Sequence, residues 1–124
     1  MKEQNKELII RDIVKLYDIL IELSNRQLIG TVAFKIAILL KAFEATYKEF
    51  FNQKENILLS FGGEIEKLSE NQLKEAQSKL DTIANEKIDI IVPSTKFNAK
   101  DFNDVKIEPV YLLTFLKLGF MDDE

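Results

Sequence analysis

The chain has 124 residues, 46% of them hydrophobic, which suits one small domain with a real core and argues against wholesale disorder. It has no cysteine and no histidine, which removes disulfides, thiolate nucleophiles, Cys-based metal sites and the side chain that most often moves protons near neutral pH. Net charge is −4; residues 1–62 carry nine Lys/Arg and eight Asp/Glu, residues 63–124 eight and thirteen, so the acidic second half lacks the basic face that general nucleic-acid binding needs.

The opening MKEQNKELII shows no cleavage-site pattern and no long apolar core before Arg11, so no secretory signal or lipidation motif is expected. Ile9, Ile13, Leu16, Leu20 and Leu23 recur at steps of three and four and predict a helix over Glu7–Leu23. Ile10, Tyr17 and Ile21 widen its apolar stripe. Ser24, Asn25 and Gly30 mark a turn. A second helix is predicted from Thr31 through Val32, Ile36, Leu39, Phe43, Tyr47 and Phe50, extended by Ile57 and Phe61 to a stop at Gly62–Gly63. Its densest apolar run, Val32–Phe43, is too short for a bilayer span of about 20 residues and contains Lys35, so no membrane insertion is expected.

At about 30 residues, hence ~45 Å, this helix is longer than a compact domain of this size, roughly 35–40 Å across. The first helix can cover only its first half. Tyr47, Phe50, Phe51, Ile57, Leu58 and Phe61 then need cover from Leu113, Leu116 and Leu118 near the C-terminus, or from another subunit. These six are therefore interface candidates, and a homo-oligomer is the expected state.

Glu64–Leu68 reads equally as loop or edge strand. Ser69 with Gln72 is a capping-box pattern, and Leu73, Ala76, Leu80 and Ile83 place a helix over about 69–85. KIDIIVP, with Ile88, Ile90, Ile91 and Val92 ahead of Pro93, predicts a strand, and Val105–Ile107 a possible second one. Pro109 suits the first position of a last helix through Val110, Leu113, Leu116 and Leu118, closed by Gly119. The predicted class is α+β, predominantly α, as one domain over 1–124. A long N-terminal helical hairpin (1–62) joins a small C-terminal unit (63–124) of two helices and one or two short strands.

This order of parts carries a resemblance. Leu28 and Ala33–Phe34–Lys35–Ile36–Ala37 match an L-P-x-K-x-A-F-K-I-A-like helix start. Ile88–Asp89–Ile90 matches a V-E-V-D-I strand, and Glu108, Pro109, Leu112 and Leu113 match an S-P-A-D-L-L-A-L terminal helix. Over most of its length the chain resembles a large group of small proteins encoded by phages and prophages of Gram-positive bacteria. It departs at Leu28–Ile29–Gly30, where the group often has proline, and in the lysine-rich turn around Lys96. The resemblance implies a small non-enzymatic accessory protein. One role it implies is a cytoplasmic binding protein that antagonises host immunity by sequestering a nucleotide signal or occluding a defence protein. The alternative is a virion component or assembly chaperone.

Few residues suggest chemistry, and no cofactor or metal is expected. Arg26, Gln27, Thr31 and Lys35 surround the expected start of the long helix, where unpaired N–H groups and positive potential could hold an anion such as a nucleotide phosphate. The structural reading of the same residues is a surface arginine and a snorkelling lysine, which the lack of a glycine-rich phosphate loop favours. Asp101, Asp104 and Glu108 could face a hard cation, but their spacing fits no calcium loop and suits solvated turns. Tyr17, Tyr47 and Tyr111 could stack a ring, although Tyr17 and Tyr47 sit on apolar stripes that suit packing. Arg11 and Lys15 form a small basic patch beside Asp12 and Asp18.

Overall fold

Two helices, α1 (Ile10–Ser24) and α2 (Gly30–Ser60), form the hairpin that the spacing predicts. The computed structural model describes residues 2–103 and 105–122. Along the seam, Ile13, Leu16, Leu20 and Leu23 are fully buried against Val32, Ile36, Leu39 and Phe43. Each such burial contributes about 1.5–3 kcal/mol, which makes this seam the main stabilising contact of the fold.

α1 starts three residues later than its periodicity suggests, because Glu3–Ile9 is a strand, β1. It pairs antiparallel with β2 (Lys87–Pro93), placing Gln4 opposite Val92, Lys6 opposite Ile90 and Leu8 opposite Ile88. These pairs face inward, while Glu3, Asn5, Glu7, Asp89 and Ile91 are exposed. The pairing links the start of the chain to its second half. Lys6 is anchored inside: its ammonium donates to the Leu118 carbonyl and lies 4.1 Å from the centre of the Phe120 ring. Burial first, and then Lys96, holds its pKa below the usual lysine value.

α3 (Glu70–Ala84) begins with the predicted capping box: Gln72 N donates to Ser69 Oγ at 3.2 Å, and Ser69 N to Gln72 Oε1 at 3.0 Å. α4 (Pro109–Leu118) begins on Pro109 and ends at Gly119, whose φ of 81° suits glycine. Under α4, Phe97 packs 4.8 Å from Phe115, and Phe43 meets Phe120 edge-to-face at 5.7 Å. The fold is α+β and predominantly α, its described sheet having two strands.

Two segments with open readings resolve. Val105–Ile107 forms no strand: Val105 N donates to the Phe102 carbonyl in a turn, and the Lys106 carbonyl accepts from Arg26. Glu64–Leu68 is a loop with a 3-10 turn at Ile65–Lys67. A second 3-10 turn spans Ala99–Phe102.

The distal half of α2 is covered differently from the sequence expectation. α3 returns along it, and Phe50, 9% exposed, is buried with Ile10 and Ala84. Leu113 and Leu116 face solvent instead of covering α2; only Leu118 joins the main core. Of the six-residue stripe, Phe50 is a core residue, Tyr47, Ile57, Leu58 and Phe61 are half-buried, and Phe51 is exposed.

Candidate functional site

The corner where α1 meets α2 holds the four anion-site candidates, but both cations are turned toward carboxylates of the same chain. Arg26 donates from Nη2 to Glu22 Oε1 at 2.8 Å and to both Glu108 oxygens at 2.8 and 2.9 Å, and from Nη1 to the Lys106 carbonyl at 2.8 Å. These bonds, Glu22 first and then Glu108, raise its pKa above the ordinary arginine value. Lys35 Nζ lies 2.8 Å from Asp101 Oδ2, with side chains 18% and 8% exposed. The same Asp101 oxygen accepts from Asn98 N at 2.9 Å. Gln27 and Thr31 remain exposed beside the start of α2. The four residues are neighbours, yet Arg26 and Lys35 form no open cationic rim; they tie Asp101, Lys106 and Glu108 to the hairpin.

Two of the three acidic candidates belong to the same contacts. Asp101 and Glu108 are paired as described, and Asp104 lies outside the described residues. Among the described residues no group of three or more acidic side chains is arranged to hold a metal ion.

Tyr17 and Tyr47 stack on each other at 4.1 Å, and Tyr47 donates to Asp18 at 2.7 Å. That bond, followed by burial, pushes the Tyr47 phenol up to about 12. Phe51 continues the ladder 4.8 Å from Tyr47 and is 39% exposed. Stacking on one another occupies one face of each ring. Tyr111 stands apart, near the Arg26 guanidinium. Arg11 bridges to Asp81 of α3 at 3.3 Å.

The remaining interface candidates lead to the most distinctive surface. Beyond Phe50, α2, α3 and the 3-10 turn border a groove of about 290 Å³. Ile57, Leu58, Ile65, Leu73, Ala76 and Leu80 line it. Ile65 and Leu73 are exposed at 53% and 42%, whereas Ile57 and Leu58 are half-buried. Phe61, half-buried at the end of α2, lies under the Lys79 ammonium, 5.1 Å from the ring centre. Lys54 is the groove's one charged lining side chain; it sits 5.5 Å over Phe51 and has no carboxylate partner among the described residues. Ile65 and Leu73 were not among the sequence candidates. The residues singled out on α2 supply one wall, and α3 supplies the other.

The chain matches no known family model, no curated protein and no solved structure. Among the described residues no helix is long and apolar enough to cross a membrane.

Proposed function

We propose that this chain is a non-enzymatic, phage-encoded binding protein that works in the host bacterial cytoplasm by occluding a defence protein. Its phage origin rests on the resemblance carried by Leu28–Ala37, Ile88–Ile90 and Glu108–Leu113. The mode of binding rests on one observation, the open apolar groove between α2 and α3. A groove between two helices suits an amphipathic helix that lays apolar side chains into it. The Lys54 ammonium on its wall, without a carboxylate partner among the described residues, suits an acidic residue on that helix. Sequestration of a nucleotide signal loses support at the hairpin corner, since Arg26 and Lys35 are paired internally. A virion role loses its main motive, an uncovered long helix, because α1 and α3 cover most of it.

The test is a phage deleted for this protein, plated on hosts that each carry one defence system. Wild-type protein supplied in trans should restore plaquing on at least one host. Leu73→Glu, at an exposed groove position, should restore it at least about tenfold less well. Equal plaquing of the deletion phage on every host, or full complementation by Leu73→Glu, would refute the proposal. Abundant chain in purified particles would favour the virion role instead.

A further inference from the structure

The side of the groove that Ile65 and Leu73 supply belongs to a segment with almost no anchor. From Gly62 to Glu75 every residue is exposed except Leu68, which is half-buried; the first buried side chain is Ala76, at 8% exposure. The polar bonds of residues 64–75 stay within the segment or reach the next turn of α3. Lys67 pairs with Glu64 at 3.0 Å, Lys74 with Glu70 at 3.7 Å, and Glu75 with Lys79 at 3.8 Å, while Ser69 and Gln72 form the capping box. Among the described residues no hydrogen bond or ion pair ties residues 64–75 to another helix or to the sheet. Further along, α3 is fastened: Lys79 lies over the Phe61 ring, Asp81 pairs with Arg11 of α1, and Ala84 is buried with Ile10 and Phe50. At the other end stand Gly62 and Gly63, with φ of 103° and 84°. Their N–H groups close the end of α2 on the Leu59 and Leu58 carbonyls, at 3.0 and 2.9 Å.

We propose that residues 64–75 are a gate on the groove: they open as one unit, hinged at Gly62 and Gly63, while α2 and the rest of α3 stay folded. Segments with few buried apolar contacts open locally well before the whole fold does, and binding elements are drawn from them. The opening unwinds the first turns of α3, and helix geometry sets where it stops. Each helical N–H bonds to the carbonyl four residues earlier. Freeing the chain up to Glu75 therefore also frees the N–H groups of residues 76–79, whose acceptors lie at 72–75. Those of residues 80–84 keep their acceptors at 76–80, where the buried Ala76 holds the helix down. The boundary of exchange thus falls between Lys79 and Leu80. Opening carries Ile65 and Leu73 away from α2, so the groove widens beyond its closed 290 Å³ and takes larger apolar side chains. That use rests on the proposed role of the groove; the opening itself does not.

Native-state hydrogen exchange of the full chain, read by NMR over a urea series, tests this. The amides of residues 72–79 should share one urea dependence and exchange at least about 100-fold faster than those of residues 80–84. Two variants separate the gate from other openings. A Cβ at Gly62 meets nothing within 4 Å, so Gly62→Ala adds only the strain of a left-handed backbone, which opening at the hinge releases. It should speed exchange of residues 72–79 by about tenfold. Ile36→Val loosens the α1–α2 seam, which stays closed when the gate opens. It should speed exchange within the seam by about threefold or more and leave residues 72–79 at the wild-type rate. Equal protection on the two sides of the 79–80 boundary would overturn the proposal. So would protection that rises residue by residue from Glu70, each amide with its own urea dependence, because that is end fraying. Unchanged exchange of residues 72–79 in Gly62→Ala, or faster exchange there in Ile36→Val, would overturn it too. None of these outcomes touches the role of the groove, which stands or falls on Leu73→Glu in the plaquing test.

Discussion

Replacing Asp101 by alanine separates a structural lysine from a ligand-binding one. Asp101 Oδ2 lies 2.8 Å from Lys35 Nζ and accepts from Asn98 N at 2.9 Å. At an effective dielectric of about 20, a pair at that distance has a gross attraction of about 6 kcal/mol, much of it offset by desolvation. Removing one partner of a buried pair costs about 3–5 kcal/mol, because the other charge is left without compensation. Lys35 keeps 18% exposure and can turn partly toward water, so the lower end applies, about 3 kcal/mol. With a urea slope of about 2 kcal/mol/M, the unfolding midpoint should fall by about 1.5 M. Lys35→Met should lose a similar amount. The double variant Lys35→Met/Asp101→Asn should recover more than half of it, because no lone charge then remains. Urea unfolding followed by circular dichroism measures all three. A midpoint for Asp101→Ala within about 0.3 M of wild type would refute the reasoning and return Lys35 to the set of free anion ligands.

Phe50→Ala should cost about 3 kcal/mol in urea unfolding, since Phe50 fills the cluster with Ile10 and Ala84 and is not a surface contact. Gly119→Ala should cost about 1–2 kcal/mol for its left-handed backbone and more for the added Cβ, which would stand 2.5 Å from Lys6 Nζ; adding Lys6→Met should remove the collision and leave the backbone cost. Tyr47 should titrate near pH 12 by ultraviolet absorbance and move down toward 10 in Asp18→Asn. Its phenol is stabilised in the protonated form by folding, so that contribution is complete below about pH 10 and lost as pH rises through about 12.

The four helices were legible because their apolar residues recur at helical spacing and their ends carry local signals: the Ser69–Gln72 capping box, Pro109, Gly119 and the Gly62–Gly63 stop. β1 was not, because its inward face carries Gln4, Lys6 and Leu8, and only pairing with a segment 78 to 90 positions away makes it a strand. The same distance hid the fate of the two cations. Lys35 and Asp101 are 66 positions apart, Arg26 and Glu108 82, and nothing local to either cation announces its partner. Part of the cover on the distal half of α2 comes from α3, whereas Leu113 and Leu116 face solvent. The signal was present in α3: Ala76 and Ala84 are small and buried, and small residues let helices pack closely. Toward the 3-10 turn, Leu58, Ile65, Leu73 and Ala76 border the groove that remains between the two helices.

The central claim is that the groove receives a host protein. Photo-crosslinking in infected cells tests it most directly, with a photoreactive residue placed in turn at Leu73, at Ile65, and at the exposed Lys87 of β2 as a control. The account predicts that positions 73 and 65 capture the same host protein, that position 87 does not, and that the crosslinked peptide is an amphipathic helix with an acidic residue close to Lys54. Capture of the same proteins at all three positions, or of a virion protein at positions 73 and 65, would contradict it.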